Sequence, residues 1–343
     1  MSGEGEHVNV TAMQVCRGGG LDKIARIELP SRPPAAGEVR VRVHASSLNF
    51  HDYAVVSGLT GPSADRIPLS DGAGVVLEVG PGVTGLEAGD HVVSTFFPGW
   101  PDGRPTVDGF DTVPGDGIDG FARTEVTMPA AAFTRAPDRY SHTEASTLTT
   151  AGVTAWRALF TEGNLRPGET VLVQGTGGVS IFALQFAKLV GATVIATTST
   201  ANKEAQLKQL GADHVINYRS KPEWGAEVRA VTGGRGVDHV IEVGGAQTLE
   251  QSMIAAATGG RIALIGVLSG MGASVPLGLA LARQVRIRAL LVGSRRDQLD
   301  MIDALENSSL RPVVNTTFEL ADLADAFEHQ AAGRHLGKIC ITI

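Results

Sequence analysis

Residues 171–183 read VLVQGTGGVSIFA, an apolar strand that runs into a glycine turn and then into an apolar-periodic helix. That order leaves few folds open. A strand ending in Gly-x-Gly-Gly and feeding a helix is the start of a βαβ unit: glycine removes the Cβ that would block close approach, and the helix N-terminus favours an anion. The expected anion is the pyrophosphate of a dinucleotide, held by Gly175, Gly177, Gly178 and Val179. The fingerprint's third glycine is replaced by Ser180, small enough for helix and strand still to pack. The helix is expected to reach about Val190, and a second strand, Thr193–Thr197, follows at crossover spacing.

The alternation continues. A helix over Lys203–Leu210 precedes strand His214–Asn217; then come strand Val237–Ile241, a helix over Thr248–Ala257, strand Arg261–Ile265 and an apolar run over Val285–Leu291. This is the pattern of a doubly wound parallel sheet, an α/β fold. Upstream the chain is β-rich, with candidates at Val39–Val43, Gly74–Val79 and Asp90–Ser94, while a helix over Thr147–Thr161 opens the alternating part. The change of pattern at Thr143 sets the expected division: residues 1–142 and 294–343 in a β-rich domain, 143–293 in a dinucleotide-binding domain. The closing segments, helix Asp297–Leu305 and strand Lys338–Ile343, are free to return to the first.

Composition narrows the partners. The 343 residues carry a net charge of −7, and no Lys/Arg cluster offers the footprint a nucleic acid or anionic membrane would need. No apolar run is long enough to span a bilayer, and the N-terminus MSGEGEHVNV has neither a basic nor an apolar leader region. The expectation is a cytoplasmic protein that acts on a small-molecule substrate, without nucleic acid or membrane as partner. Its two cysteines, Cys16 and Cys340, read as buried, reduced thiols.

Several strings together resemble the medium-chain dehydrogenase/reductase superfamily over nearly the whole chain: residues 47–52 SLNFHD, 71–75 DGAGV, 89–92 GDHV, 150–154 TAGVT, 210–216 LGADHVI, 259–262 GGRI and the glycine turn. The resemblance implies a GroES-like catalytic domain interrupted by a Rossmann domain, with hydride carried by a nicotinamide. Aligned through those strings, the family's catalytic zinc ligands fall on Asn49, Ser70 and Thr150, none of which can replace a thiolate or imidazole. The stretch Ser94–Phe121, where a structural zinc lobe would lie, has no cysteine. The chain is therefore more similar to the zinc-independent, quinone oxidoreductase-like branch, which implies hydride transfer to acceptors already activated by conjugation, quinones or α,β-unsaturated carbonyls.

The acid that holds a ribose 2′-hydroxyl in NAD-binding units, about 20 residues past the turn, is missing. Residues 197–203 read TTSTANK instead, a set in which Ser199 and Thr200 can donate hydrogen bonds and Lys203 a charge to a 2′-phosphate. The expected cofactor is NADPH, with no zinc. The family's NADPH users imply a further contact from Tyr218, although the hydroxyls also suit a helix cap and the tyrosine a turn. Gly244, Gly266 and Val267 end later strands and are expected at the ribose and nicotinamide; Thr154 and Lys338 are further cofactor-side candidates.

For the chemistry, the expected residues are Asn49, whose amide can hydrogen-bond an acceptor oxygen, and His51 and Tyr53 as proton donors. Asp52 reads as an anchor for its loop, Ser70 and Thr150 as lining, and Phe96, Phe97 and Trp100 as core. Two other functions remain open: a zinc-independent alcohol or carbonyl dehydrogenase, and an NADPH-binding protein with a structural or RNA-binding role. The run at Val285–Leu291 could pair across a twofold axis, which gives a homodimer as the expected assembly.

Overall fold

The computed structural model describes residues 9–272 and 274–343. They form two compact units, one from the chain up to Thr150 together with Ser294–Ile343, the other Ala151–Gly293. The first boundary thus falls at Thr150, not at residue 142. The reason is local: helix His142–Ser146 starts on a Ser141–Glu144 capping box, and its first residue stacks on the first unit's sheet, His142 lying 4.6 Å from His44 and 4.9 Å from His91 between ring centroids. The helix expected from Thr147 therefore begins earlier, and it continues through two π-helical stretches, Leu148–Gly152 and Arg157–Thr161.

In the second unit six strands form one sheet in the order His214–Asn217, Thr193–Thr198, Thr170–Gln174, Val237–Glu242, Ala256–Leu264, Arg286–Ala289. All neighbours are parallel, and this is the doubly wound order in which ligands gather at the carboxyl ends of the strands. Strand Thr170–Gln174 is buried along its whole length. Helix Gly178–Leu189 follows it and turns Ile181, Phe182, Leu184 and Phe186 inward, each such burial contributing about 1.5–3 kcal/mol. Leu172, Ile195, Val240 and Ile262 from four strands meet Trp224 and Met253 in one core. Arg286–Ala289 forms the sheet's edge, exposed throughout.

In the first unit the long strand Glu38–Ser47 alternates buried valines with exposed or half-exposed partners. It pairs with Ala73–Val79, with Glu125–Pro129 and with the last strand, Lys338–Thr342, all antiparallel. The tail therefore returns to this sheet, Cys340 opposite Ser47. Phe96, Phe97 and Trp100 are buried, as core residues should be. Cys340 is buried, its thiol pushed up to about 12 by loss of water. Cys16 is exposed, a correction to its expected burial: it lies just past strand Asn9–Val15, where the chain turns out into the Gly18-Gly19-Gly20 loop.

Candidate functional site

The second unit gathers the expected phosphate-binding residues at one end of its sheet. Gly175 has φ of +69°, a conformation that glycine adopts without strain. A Cβ added there, or at Gly177, would meet no atom within 4 Å, so the space above the turn is open to a ligand. Gly178 and Val179 begin the helix, both half-buried. Ser180 Oγ donates to the Gln174 carbonyl at 2.6 Å, tying the helix to the strand before the turn. Lys203 reaches back from the next helix and donates to Thr176 Oγ1 at 3.0 Å, which brings its charge onto the glycine turn. Burial holds this lysine below the usual range for an ammonium. Ser199 is half-buried; Thr200 is exposed at the helix start, its side chain making no capping bond. Tyr218 is also exposed, and its N–H donates to the Thr198 carbonyl at 3.0 Å. Thr154 is buried within its own helix.

At the ends of the neighbouring strands a carboxylate organises the loops. Glu242 is fully buried. Its Oε1 accepts from Gly244 N at 2.8 Å, Gly245 N at 2.9 Å and Thr248 Oγ1 at 2.6 Å. Its Oε2 accepts from Gln174 Nε2 at 2.8 Å and from Ser252 Oγ. Gly266 lies so close behind that a Cβ would come 2.2 Å from the Val243 carbonyl oxygen, while Val267 beside it is 40% exposed. Gln174 and Glu242 have no role in the sequence reading. The signal for them in the sequence is a polar residue closing each of two strands, TVLVQ and VDHVIE.

The first unit brings together Asn49, Ser70, Thr150 and Lys338. Asn49 precedes helix Phe50–Ser57, and Asp52 holds it there: Asp52 Oδ2 accepts from Asn49 N at 2.9 Å, Oδ1 from Ser70 N at 2.8 Å. This is the anchoring expected of Asp52, whose carboxyl is raised by burial and then by nearby Asp71. The buried Lys338 ammonium donates to Asn49 Oδ1 at 2.5 Å and to the Leu48 carbonyl at 2.7 Å, with Asp71 Oδ2 at 3.4 Å. Asp71 in turn accepts from Ser47 Oγ at 2.5 Å and Thr150 Oγ1 at 2.6 Å. Lys338, a cofactor-side candidate by sequence, is thus bonded to Asn49. Ser47 and Asp71, quoted within the matching strings, carry no assigned role there.

The two expected proton donors separate. His51 Nε2 lies 3.2 Å from Asp116 Oδ2, its ring between Phe96 and Phe110. The Tyr53 ring instead packs against the apolar cluster that includes Phe327, 6.4 Å between centroids. Among the described residues no three His, Cys, Asp or Glu side chains are grouped to hold a metal ion, and no helix is long and apolar enough to cross a membrane.

Two families match the chain: the alcohol dehydrogenase GroES-like domain over residues 35–138, and zinc-binding dehydrogenase over 178–307. A zinc-type alcohol dehydrogenase-like protein of Schizosaccharomyces pombe is 41% identical over 316 residues, 90% of this chain and 91% of its own length. Among solved structures, a putative alcohol dehydrogenase of Sinorhizobium meliloti superposes with a TM-score of 0.92 at 37% identity, over 98% of this chain and 99% of its own, and an NAD-dependent alcohol dehydrogenase with a TM-score of 0.88 at 34% identity, over 97% and 99%. A mycobacterial structure complexed with NADPH matches at a TM-score of 0.82 and 27% identity, over 97% of this chain and 100% of its own.

Proposed function

Because the chain belongs to the medium-chain dehydrogenase/reductase family and is an oxidoreductase of that kind, we propose that it is a zinc-independent, NADPH-dependent reductase of quinones or α,β-unsaturated carbonyls. One observation carries the reading: the amide oxygen at the first zinc-ligand position accepts from a buried ammonium, Lys338 to Asn49. A zinc ion ligated there would face a like charge at contact distance, and the other two positions offer only the hydroxyls of Ser70 and Thr150. The donor set does not suit the metal.

For NADPH the fit is favourable. The open turn at Gly175 and Gly177 leaves room for a pyrophosphate, and the stretch 197–203, TTSTANK, offers a 2′-phosphate the charge of Lys203 and no carboxylate to repel it. When bound, the cofactor supplies the hydride. Asn49 Nδ2 is the donor for the acceptor's carbonyl oxygen, where negative charge grows as hydride arrives. In this reading His51, 3.2 Å from Asp116, is the group that passes a proton to the reduced acceptor. Hydrogen bonds of this strength suit a carbonyl polarised by conjugation better than an unactivated alcohol.

The test is a set of steady-state assays with NADPH and a quinone, NADPH and an enone, and NADP⁺ and simple alcohols, each before and after dialysis against a chelator. Turnover of the conjugated acceptors, unchanged by the chelator, is expected. Turnover of alcohols alone, or activity that needs added zinc, would sink the proposal. NADPH binding without any turnover would favour a non-catalytic role.

A further inference from the structure

We propose that Lys338 is a positioning residue that makes Asn49 a hydrogen-bond donor, by capturing its amide oxygen and leaving its nitrogen to face the acceptor. The inference rests on the reductase reading above. An asparagine amide has an accepting end and a donating end of nearly the same size, so its partners decide which way it faces. An ammonium has three donors and no acceptor, so the end of Asn49 that meets Lys338 can only be Oδ1. The nitrogen then points the other way. Its contacts are long, 3.4 Å to Ser70 Oγ and 3.5 Å to the Ser47 carbonyl, so its donor capacity is barely used.

The lysine itself is fixed from three sides. It is 3% exposed, and besides Asn49 it holds the Leu48 carbonyl at 2.7 Å and the Asp71 carboxylate at 3.4 Å. Asp71 is fully buried and pinned by the Ser47 and Thr150 hydroxyls. An ammonium so held cannot swing aside, and its charge draws electron density toward Oδ1 and makes the N–H of Asn49 a stronger donor. At the place where relatives of the zinc-type would put a metal, this chain builds a polarised amide backed by a buried cation. This role differs from a cofactor contact: Lys338 acts through Asn49, within one unit and within one hydrogen-bonded chain.

A double-mutant cycle separates these roles, run with whichever acceptor the wild-type protein reduces. Lys338→Met and Asn49→Ala should each lower kcat by about 10- to 100-fold, the scale for loss of a donor to a developing oxyanion, with NADPH affinity within about twofold of wild type. The double variant should be no slower than Asn49→Ala alone, because Lys338 has nothing left to position. Multiplicative losses, or a weakened NADPH affinity with kcat preserved, would overturn the proposal in favour of a cofactor contact. Lys338→Arg, which restores a donor to Oδ1, should recover part of the rate. Should Lys338→Met fail to fold, Asn49→Asp answers instead: it keeps an oxygen on Lys338 and loses the outward donor, so it should fold, bind NADPH and lose the rate. A normal rate in Asn49→Asp overturns the proposal. Should the wild type reduce nothing, the reductase reading has failed, and the link is read by NMR: the Asn49 side-chain N–H pair, assigned by its absence in Asn49→Asp, should be a single pair that shifts in Lys338→Arg. An unshifted pair there would overturn the link.

Discussion

Ser180 Oγ donates to the carbonyl of Gln174 at 2.6 Å, so the residue that breaks the glycine fingerprint stitches the first helix to the end of its strand. A glycine would only have allowed the approach; the serine adds a bond across it. Ser180→Gly should leave NADPH affinity within a few-fold of wild type while costing about 1 kcal/mol for the lost bond. Ser180→Val should cost more, since the position is buried and a larger side chain must push helix from strand. Thermal unfolding and a fluorescence titration of each variant check both numbers.

On the NADPH reading, Lys203 is the residue that should distinguish the two cofactors. Lys203→Ala should weaken NADPH by about 10- to 100-fold, the value of a charge-assisted contact to phosphate, and leave NADH nearly unchanged. Because burial lowers this lysine from its usual range, its charge is present below the lowered value and lost as pH rises through it. NADPH affinity should therefore fall on the alkaline side earlier than an exposed lysine would allow, with NADH affinity flat over the same window. Equal titrations for the two cofactors would remove the phosphate role.

The stacked rings of His44, His142 and His91 give the first unit an acid limb. Burial, then the neighbouring imidazoles, lower His142 from 6.5 to about 4. The unfolded chain therefore binds the proton first. Stability from this site is complete above 6.5 and is lost as pH falls toward 4. The loss is about 1 kcal/mol once solvent screening of this half-exposed ring is allowed for. Urea unfolding at neutral and mildly acidic pH should show the slope, and His142→Gln should flatten it.

The exposed edge strand Arg286–Ala289 offers unpaired backbone, and Ile287 on it is 39% exposed. We expect two copies to pair there in solution, antiparallel across a twofold axis. Light scattering should give a dimer for the wild type and a monomer for Ile287→Arg, in which like charges would meet at the seam. A monomeric wild type would end the proposal.

What was legible in the sequence followed from periodicity and spacing. The strands and helices of the second unit lie within a few residues of their expected places, because βαβ crossovers leave a regular trace: Gly178–Leu189 for a helix expected to end near Val190, His214–Asn217 as read. Helices Trp224–Val231 and Leu277–Arg283 have no counterpart in the expected pattern; the second turns only Leu279 and Ala280 toward the core, an inward face too short to stand out as periodicity. The cluster around Asn49 was only half legible. Motif alignment found Asn49, Ser70 and Thr150, but the bond from Lys338 joins residues 289 positions apart, and no local pattern encodes it. Tyr53 illustrates the opposite limit: a phenol two residues from His51 is an obvious donor on paper, yet helix geometry turns it onto Phe327.

The strand Lys338–Thr342 lies beside Glu38–Ser47, and the contact of Lys338 with Leu48 spans 290 residues of chain. On the ribosome, the second unit is complete well before this partner strand exists. While residues 294–337 are still being made, the first unit lacks one strand and the ammonium behind Asn49. On the reductase reading, the residues proposed to hold cofactor in the second unit are all synthesised before the lysine proposed to set up the chemistry.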